Sequence, residues 1–149
     1  KQDLLDLLEV RESLEGMACR LAATKMTEAD LARLEEMLIA HEKSDAVREG
    51  RGYFQAPGDG DFHLVILRAC GNLRLMGMLG EELYSLLRLC RHHLSMRPGR
   101  AAEALEEHRS IVAALRARNP DAAEAAMRAH LRNGRSAVEN WMTDEEFNE

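Results

Sequence analysis

A chain of 149 residues is long enough for one domain with one sizeable core. Hydrophobic residues make up 46% and aromatics only 4%, and the abundant Ala, Leu, Glu, Arg and Met favour helix over strand, so the composition predicts an all-α fold. A net charge of −6 with a pI near 5.6 argues against direct nucleic-acid binding, which needs clustered cations.

The chain opens on "KQDLLDLLEV", with no initiator Met, and reads as a fragment of a longer protein. Leu4, Leu7, Leu8, Leu14, Met17, Ala18, Leu21 and Ala22 recur at three- and four-residue spacing and predict a first helix from about Gln2 to Lys25. "TEAD" then offers a capping box, Thr27 with Asp30, for a second helix running to about Arg48, where "EGRG" breaks the pattern. Pro57 and Gly58 disfavour uninterrupted helix, so a third is expected from about Gly58 or Asp59 to Cys70. Gly71-Asn72 marks a stop or kink before a long fourth helix, Leu73 to about Met96. A fifth covers about Arg100 to Arg118. Asn119-Pro120 is a helix-start signal for a last one ending near Met142, followed by an acidic tail over 143–149. Six helices with short connections predict an antiparallel bundle. Cys19, Cys70 and Cys90 are odd in number, lack CxxC spacing and fit buried reduced thiols of a cytoplasmic protein. No signal peptide and no apolar run near 18 residues is found, so no membrane association is expected.

The informative polar residues interrupt apolar stripes. On the first helix the inward series is Leu4, Leu7/Leu8, Arg11, Leu14, Ala18 and Leu21. On the third it is Asp59, His63, Ile66/Leu67 and Cys70. On the fifth it is Ala104/Leu105, His108, Ile111/Val112 and Leu115, and on the last Ala123, Met127, His130, Gly134, Ala137 and Trp141. Buried polar groups need hydrogen bonds, partners or a metal. Two readings therefore stand: separate hydrogen-bonded core histidines, with Arg11 in a salt bridge to a Glu such as Glu15 or Glu107, or one metal shell of Asp59, His63, His108 and His130. Asp59 and His63 at i and i+4 share a helix face, whereas Asp61 lies roughly 200° from His63. Asp59 also suits an N-cap after Pro57-Gly58. Imidazole and carboxylate ligands suit zinc, nickel, cobalt, manganese, iron or copper. His41, His92 and His93 share no stripe with this set and read as surface or loop-proximal.

"LLEVRESLEGMACRLAA", "DGDFHLVILRACGN", "EEHRSIVAAL" and "AAEAAMRAHL", in this order, resemble the FCD domain, the C-terminal effector-binding domain of FadR-type regulators in the GntR superfamily. The resemblance spans about residues 5 to 140. It implies an all-α antiparallel bundle of six to seven helices over 1–142, and an N-terminal winged helix-turn-helix, absent from this chain, that binds operator DNA. It also implies a divalent metal, zinc foremost with nickel, manganese or iron as alternatives, on Asp59, His63, His108 and His130. A small carboxylate or sugar-acid effector is expected to meet Arg11 and Asn72, with Arg88 and Arg91 as further anion contacts. Regulators of this kind are dimers on palindromic sites. The expected function is ligand sensing, with no catalytic residues. The rival is a mononuclear metalloenzyme, which needs a general base beside an open metal position. A di-iron enzyme is not expected, because Leu105 and Met127 stand where its Glu-x-x-His pairs require Glu.

Overall fold

The computed structural model describes residues 2–143, the side chains of residues 82 and 141–143 excepted, so the expected inward place of Trp141 and most of the acidic tail lie outside the described residues. Among the described residues the chain is all-α: α1 (Gln2–Lys25), α2 (Glu28–Lys43), the single turn α3 (Asp45–Arg48), α4 (Phe62–Ala69), α5 (Leu73–Gly77), α6 (Tyr84–Ser95), α7 (Arg100–Arg116) and α8 (Pro120–Thr143).

Two of the expected caps form, whereas the cap offered at Asp59 falls to Asp61 instead. Thr27 and Asp30 make the reciprocal capping box of α2, and Asn119 accepts from the Ala122 amide at the start of α8. Ion pairs give the direction of packing. Glu9 with Arg135, Glu12 with Arg132 and Arg20 with Asp121 keep a nearly constant sum of residue numbers, so α1 and α8 run antiparallel along their length. Arg116 with Glu28 and Arg109 with Glu42 do the same for α2 and α7. Around this frame α4 is buried from Phe62 through Leu67 on every side, the pattern of a helix inside a core rather than on its surface.

Three boundaries differ from the sequence expectation. The second helix ends at Lys43, because Ser44 leaves helical conformation and caps the separate turn α3. The third begins at Phe62, not Gly58 or Asp59: Gly58–Gly60 form one 3-10 turn, and Asp61 is the N-cap, its Oδ1 accepting from the His63 and Leu64 amides. The fourth is not continuous. A π-helical turn over Met78–Glu82 separates α5 from α6, in a stretch containing Gly77 and Gly80. A Cβ on Gly80 would meet Met76 Cε, the far end of a flexible side chain, so the Met76 side chain would have to shift to admit it.

Candidate metal centre

The start of α4 fixes one side of the site. Asp61 is buried, holds the His63 amide at 3.0 Å and pairs through its other oxygen with Arg91 of α6. Phe62 stacks on the His108 ring, with centroids 4.0 Å apart and planes 12° from parallel, and so orients that imidazole. His63 from α4, His108 from α7 and His130 from α8 then meet in the interior, each less than a tenth exposed.

Each imidazole is held by its outer nitrogen. His63 Nδ1 donates to Glu15 of α1 at 2.6 Å, and His130 Nδ1 donates to Glu107 of α7 at 2.6 Å. His108 Nδ1 is 2.9 Å from the Tyr53 hydroxyl, which is itself 2.8 Å from His41 Nδ1. Behind these, Arg11 Nε donates to Glu15, and Arg100 and Asn133 donate to Glu107. The inner nitrogens converge: His63 Nε2 and His108 Nε2 each lie 3.3 Å from His130 Nε2.

A carboxylate only accepts, so the hydrogens of neutral His63 and His130 sit on Nδ1 and both Nε2 atoms present bare lone pairs. Burial penalises protonation of all three rings. It lowers the His63 pKa despite Glu15, takes His108 well below the ordinary value together with the neighbouring imidazoles, and brings His130 to about 4. Burial opposes the ionisation of Glu15 and Glu107 as well, yet both are held as carboxylates. Arg11 and His63 outweigh it for the first. Hydrogen bonds from His130, Arg100 and Asn133 bring the second to about 2.

Two lone pairs facing each other with no hydrogen between them call for a cation. Nitrogens bound tetrahedrally to zinc at about 2.0–2.1 Å stand about 3.4 Å apart, close to the separation here. The residues fit a divalent metal, with outer nitrogens tied to carboxylates as ligating histidines require. Among the described residues this is the one such cluster, its ligand atoms all within 4.8 Å of one another.

The structure does not bring Asp59 to it. Asp59 lies in the 3-10 turn ahead of α4, its side chain 70% exposed and paired with Arg68 and Arg33. The i,i+4 relation to His63 requires one continuous helix from Asp59, and α4 starts three residues later, at Phe62. Asn72 is the N-cap of α5, accepting from the Arg74 and Leu75 amides, and is not among the residues around the cavity beside the histidines. Arg88 donates to the Gln55 carbonyl and faces an outer groove.

Arg11 does reach the site. It is buried, lines a cavity of about 60 Å³ that also meets the three histidines, Arg91, Arg100 and Arg135, and its Nη2 has no partner. Its carboxylate partner is Glu15, one turn along the same helix. Tyr53 and the histidine contacts of Glu15 and Glu107 escaped the sequence reading. Glu15 lies at i+4 from Arg11, which was a usable signal. Tyr53 sits in an irregular segment with no periodicity to place it.

The fold is thus an all-helical bundle, among the described residues, with a buried histidine triad whose outer nitrogens are tied down. The FCD domain model matches residues 6–133, and the chain belongs to that family. It is 34% identical over 148 residues to the HTH-type transcriptional regulator LutR of Bacillus subtilis, covering 97% of this chain and 66% of that one. It is 34% identical over 136 residues to the Glc operon transcriptional activator of Escherichia coli K12, covering 87% and 52%. Among solved structures, Streptococcus agalactiae GntR aligns with a TM-score of 0.67 at 29% identity, over 92% of this chain and 61% of that one. E. coli McbR/YncC shares the fold, with a TM-score of 0.75 at 23% identity over 95% and 70%. The chain thus spans about half to two-thirds of the length of the curated relatives it matches.

Proposed function

We propose that this chain is the ligand-sensing domain of a cytoplasmic transcription regulator, holding a divalent metal on His63, His108 and His130 and a small organic acid beside it. The observation that carries the reading is the convergence of three imidazole Nε2 atoms whose Nδ1 atoms are committed elsewhere. Three histidines leave coordination positions for water or ligand oxygen, and a bound metal supplies a Lewis-acidic anchor for a carboxylate or hydroxyl. Arg11 Nη2, buried and unpartnered in the adjoining cavity, supplies a second anchor for the same anion. Arg91, Arg100 and Arg135 also line the cavity, each already paired with a carboxylate, whereas Arg11 Nη2 is left open toward it. The small cavity suits a short acid rather than an acyl chain.

The family and the names of its relatives, which are transcription regulators, support this reading. Operator DNA is bound by another part of the regulator, since this chain is acidic. The regulator acts as a homodimer, to which the exposed Leu86 and Leu89 of α6 are suited. Effector affinity that differs between two arrangements of the dimer shifts their populations and with them DNA affinity. The carboxylates nearest the triad are engaged, Glu15 and Glu107 on histidines and Asp61 on the start of α4, which supports sensing over general-base catalysis.

The test is elemental analysis of chain purified without chelator, followed by calorimetric titration of zinc-loaded protein with short mono- and dicarboxylic and hydroxy acids. Stoichiometric metal, and acid binding that weakens at least tenfold in Arg11→Lys, is expected. Acid binding indifferent to metal and to Arg11 would refute the reading.

A further inference from the structure

Between α3 and α4 the chain runs without helix from Arg51 to Pro57. It hooks back onto α3, with the Arg51 and Gly52 amides both donating to the Ala46 carbonyl. Single hydrogen bonds then fasten it. The Tyr53 hydroxyl lies between His108 Nδ1 and His41 Nδ1, Gln55 Oε1 accepts from the Phe62 amide at 2.7 Å, and the Gln55 carbonyl accepts from Arg88. Tyr53 and Gln55 each line two spaces: the inner cavity beside the histidines and an outer groove of about 790 Å³. This segment is the wall between them.

The hydrogen count along His108, Tyr53 and His41 is constrained. A tyrosine phenol keeps its hydrogen at neutral pH, and the Tyr53 oxygen lies within hydrogen-bond distance of both ring nitrogens. One hydroxyl has one hydrogen, so it donates to one Nδ1 and accepts from the other. When His108 Nε2 faces a cation, its hydrogen is on Nδ1 and is donated to Tyr53, which then donates to His41. Without a cation, His108 can place its hydrogen on Nε2 and donate to the bare Nε2 of His130, 3.3 Å away. Tyr53 must then donate to His108, and His41 must become a donor. A cation at the centre therefore fixes the direction of every bond along His108, Tyr53 and His41, whereas without one the bonds are free to run either way.

We infer that Tyr53 is a positioning residue for His108 and that the segment 51–57 is a closure over the inner cavity whose hold depends on occupancy of the three-histidine centre. The inference rests on the metal-centre reading above. Tyr53 presents a hydroxyl lone pair to His108 Nδ1–H, as Glu15 and Glu107 present carboxylate oxygens to the other two rings. Because Tyr53 belongs to the wall, fixing His108 also fixes the wall. Small acids reach the cavity from the outer groove when Tyr53 and Gln55 let go.

The experiment is zinc titration against a chromophoric chelator, with hydrogen exchange of residues 51–57 followed with and without zinc, on the unmodified chain, Tyr53→Phe and His41→Ala. In the unmodified chain zinc should slow exchange in 51–57. Tyr53→Phe, which loses one oxygen and keeps the ring, should bind zinc 10- to 100-fold more weakly, as outer partners of ligating histidines do, and should lose most of that slowing. His41→Ala leaves the Tyr53 oxygen in place and should show the same changes at smaller size, which keeps the test open if Tyr53→Phe misfolds. Unchanged zinc affinity in both variants, or exchange in the unmodified chain that ignores zinc, would overturn the inference while leaving the metal centre standing. An unmodified chain that takes up no zinc, manganese or nickel would overturn the metal-centre reading and this inference with it.

Discussion

Asp59 and Asp61 are two residues apart and have opposite fates. Asp59 faces solvent between two arginines, whereas Asp61 is buried, caps α4 and neutralises Arg91. Asp59→Ala should therefore leave metal content unchanged, while His108→Ala should abolish retention through gel filtration; loss of metal in Asp59→Ala would show that the turn rearranges on binding. Asp61→Ala removes a cap and strands a largely buried guanidinium, and should cost about 2–4 kcal/mol in denaturant unfolding. The inward stripes identified Arg11, His63, His108 and His130 correctly as buried, because helical periodicity reports which face a residue occupies. Asp59 departs from the stripe because Gly58–Gly60 form a separate 3-10 turn and helical periodicity begins only after Asp61. Glu107, next to His108 in sequence, meets His130 on the neighbouring helix. A single-helix projection does not reveal such cross-helix partners.

At the scale of elements, local chemistry was the most legible part of the sequence. Thr27–Asp30 and Asn119-Pro120 are self-contained signals within four residues, and both form as read. Thr27→Ala should cost about 1 kcal/mol, visible as a lowered melting temperature, with Thr27→Ser near neutral. The π-helical turn over Met78–Glu82 was not legible, since apolar residues continue through it and only Gly77 and Gly80 hint at a break. The turn before α4 depends on Gly60, where a Cβ would fall 2.6 Å from Ala56 Cβ. Both atoms are anchored to backbone, so Gly60→Ala must displace either the 51–57 segment or the start of α4. The expected result is a loss of about 1–3 kcal/mol together with weakened zinc affinity. Full stability with full zinc affinity would show that the turn has slack.

For the whole molecule, the buried triad links stability to pH, and under the proposed function to metal as well. The folded-state pKa values of His63, His108 and His130 lie below the ordinary histidine value, so between about pH 6.5 and 4 the unfolded chain binds more protons than the folded one. The stabilisation from keeping these rings neutral is fully present above about 6.5. It is lost as pH falls, for His130 down to about 4. Chemical denaturation in chelator should show this decline, and a flat profile from pH 7 to 5 would contradict the burial of the triad. Metal that binds only the folded state should add about 2.7 kcal/mol at a hundredfold excess over its Kd, reversed by chelator.

The α1–α8 pair gives the centre mechanical reach. Each helix has 24 residues, so each is about 36 Å long. Arg11 and Glu15 sit on one and His130 on the other, near mid-length, with ion pairs spaced along the seam on either side. Under the proposed function, a ligand gripped between Arg11 and the histidines would be a cross-pin through two antiparallel rods, and tightening or releasing it would act as a shear between them. Because packed helices resist bending better than sliding, a sub-ångström change at the pin would be felt at both rod ends together.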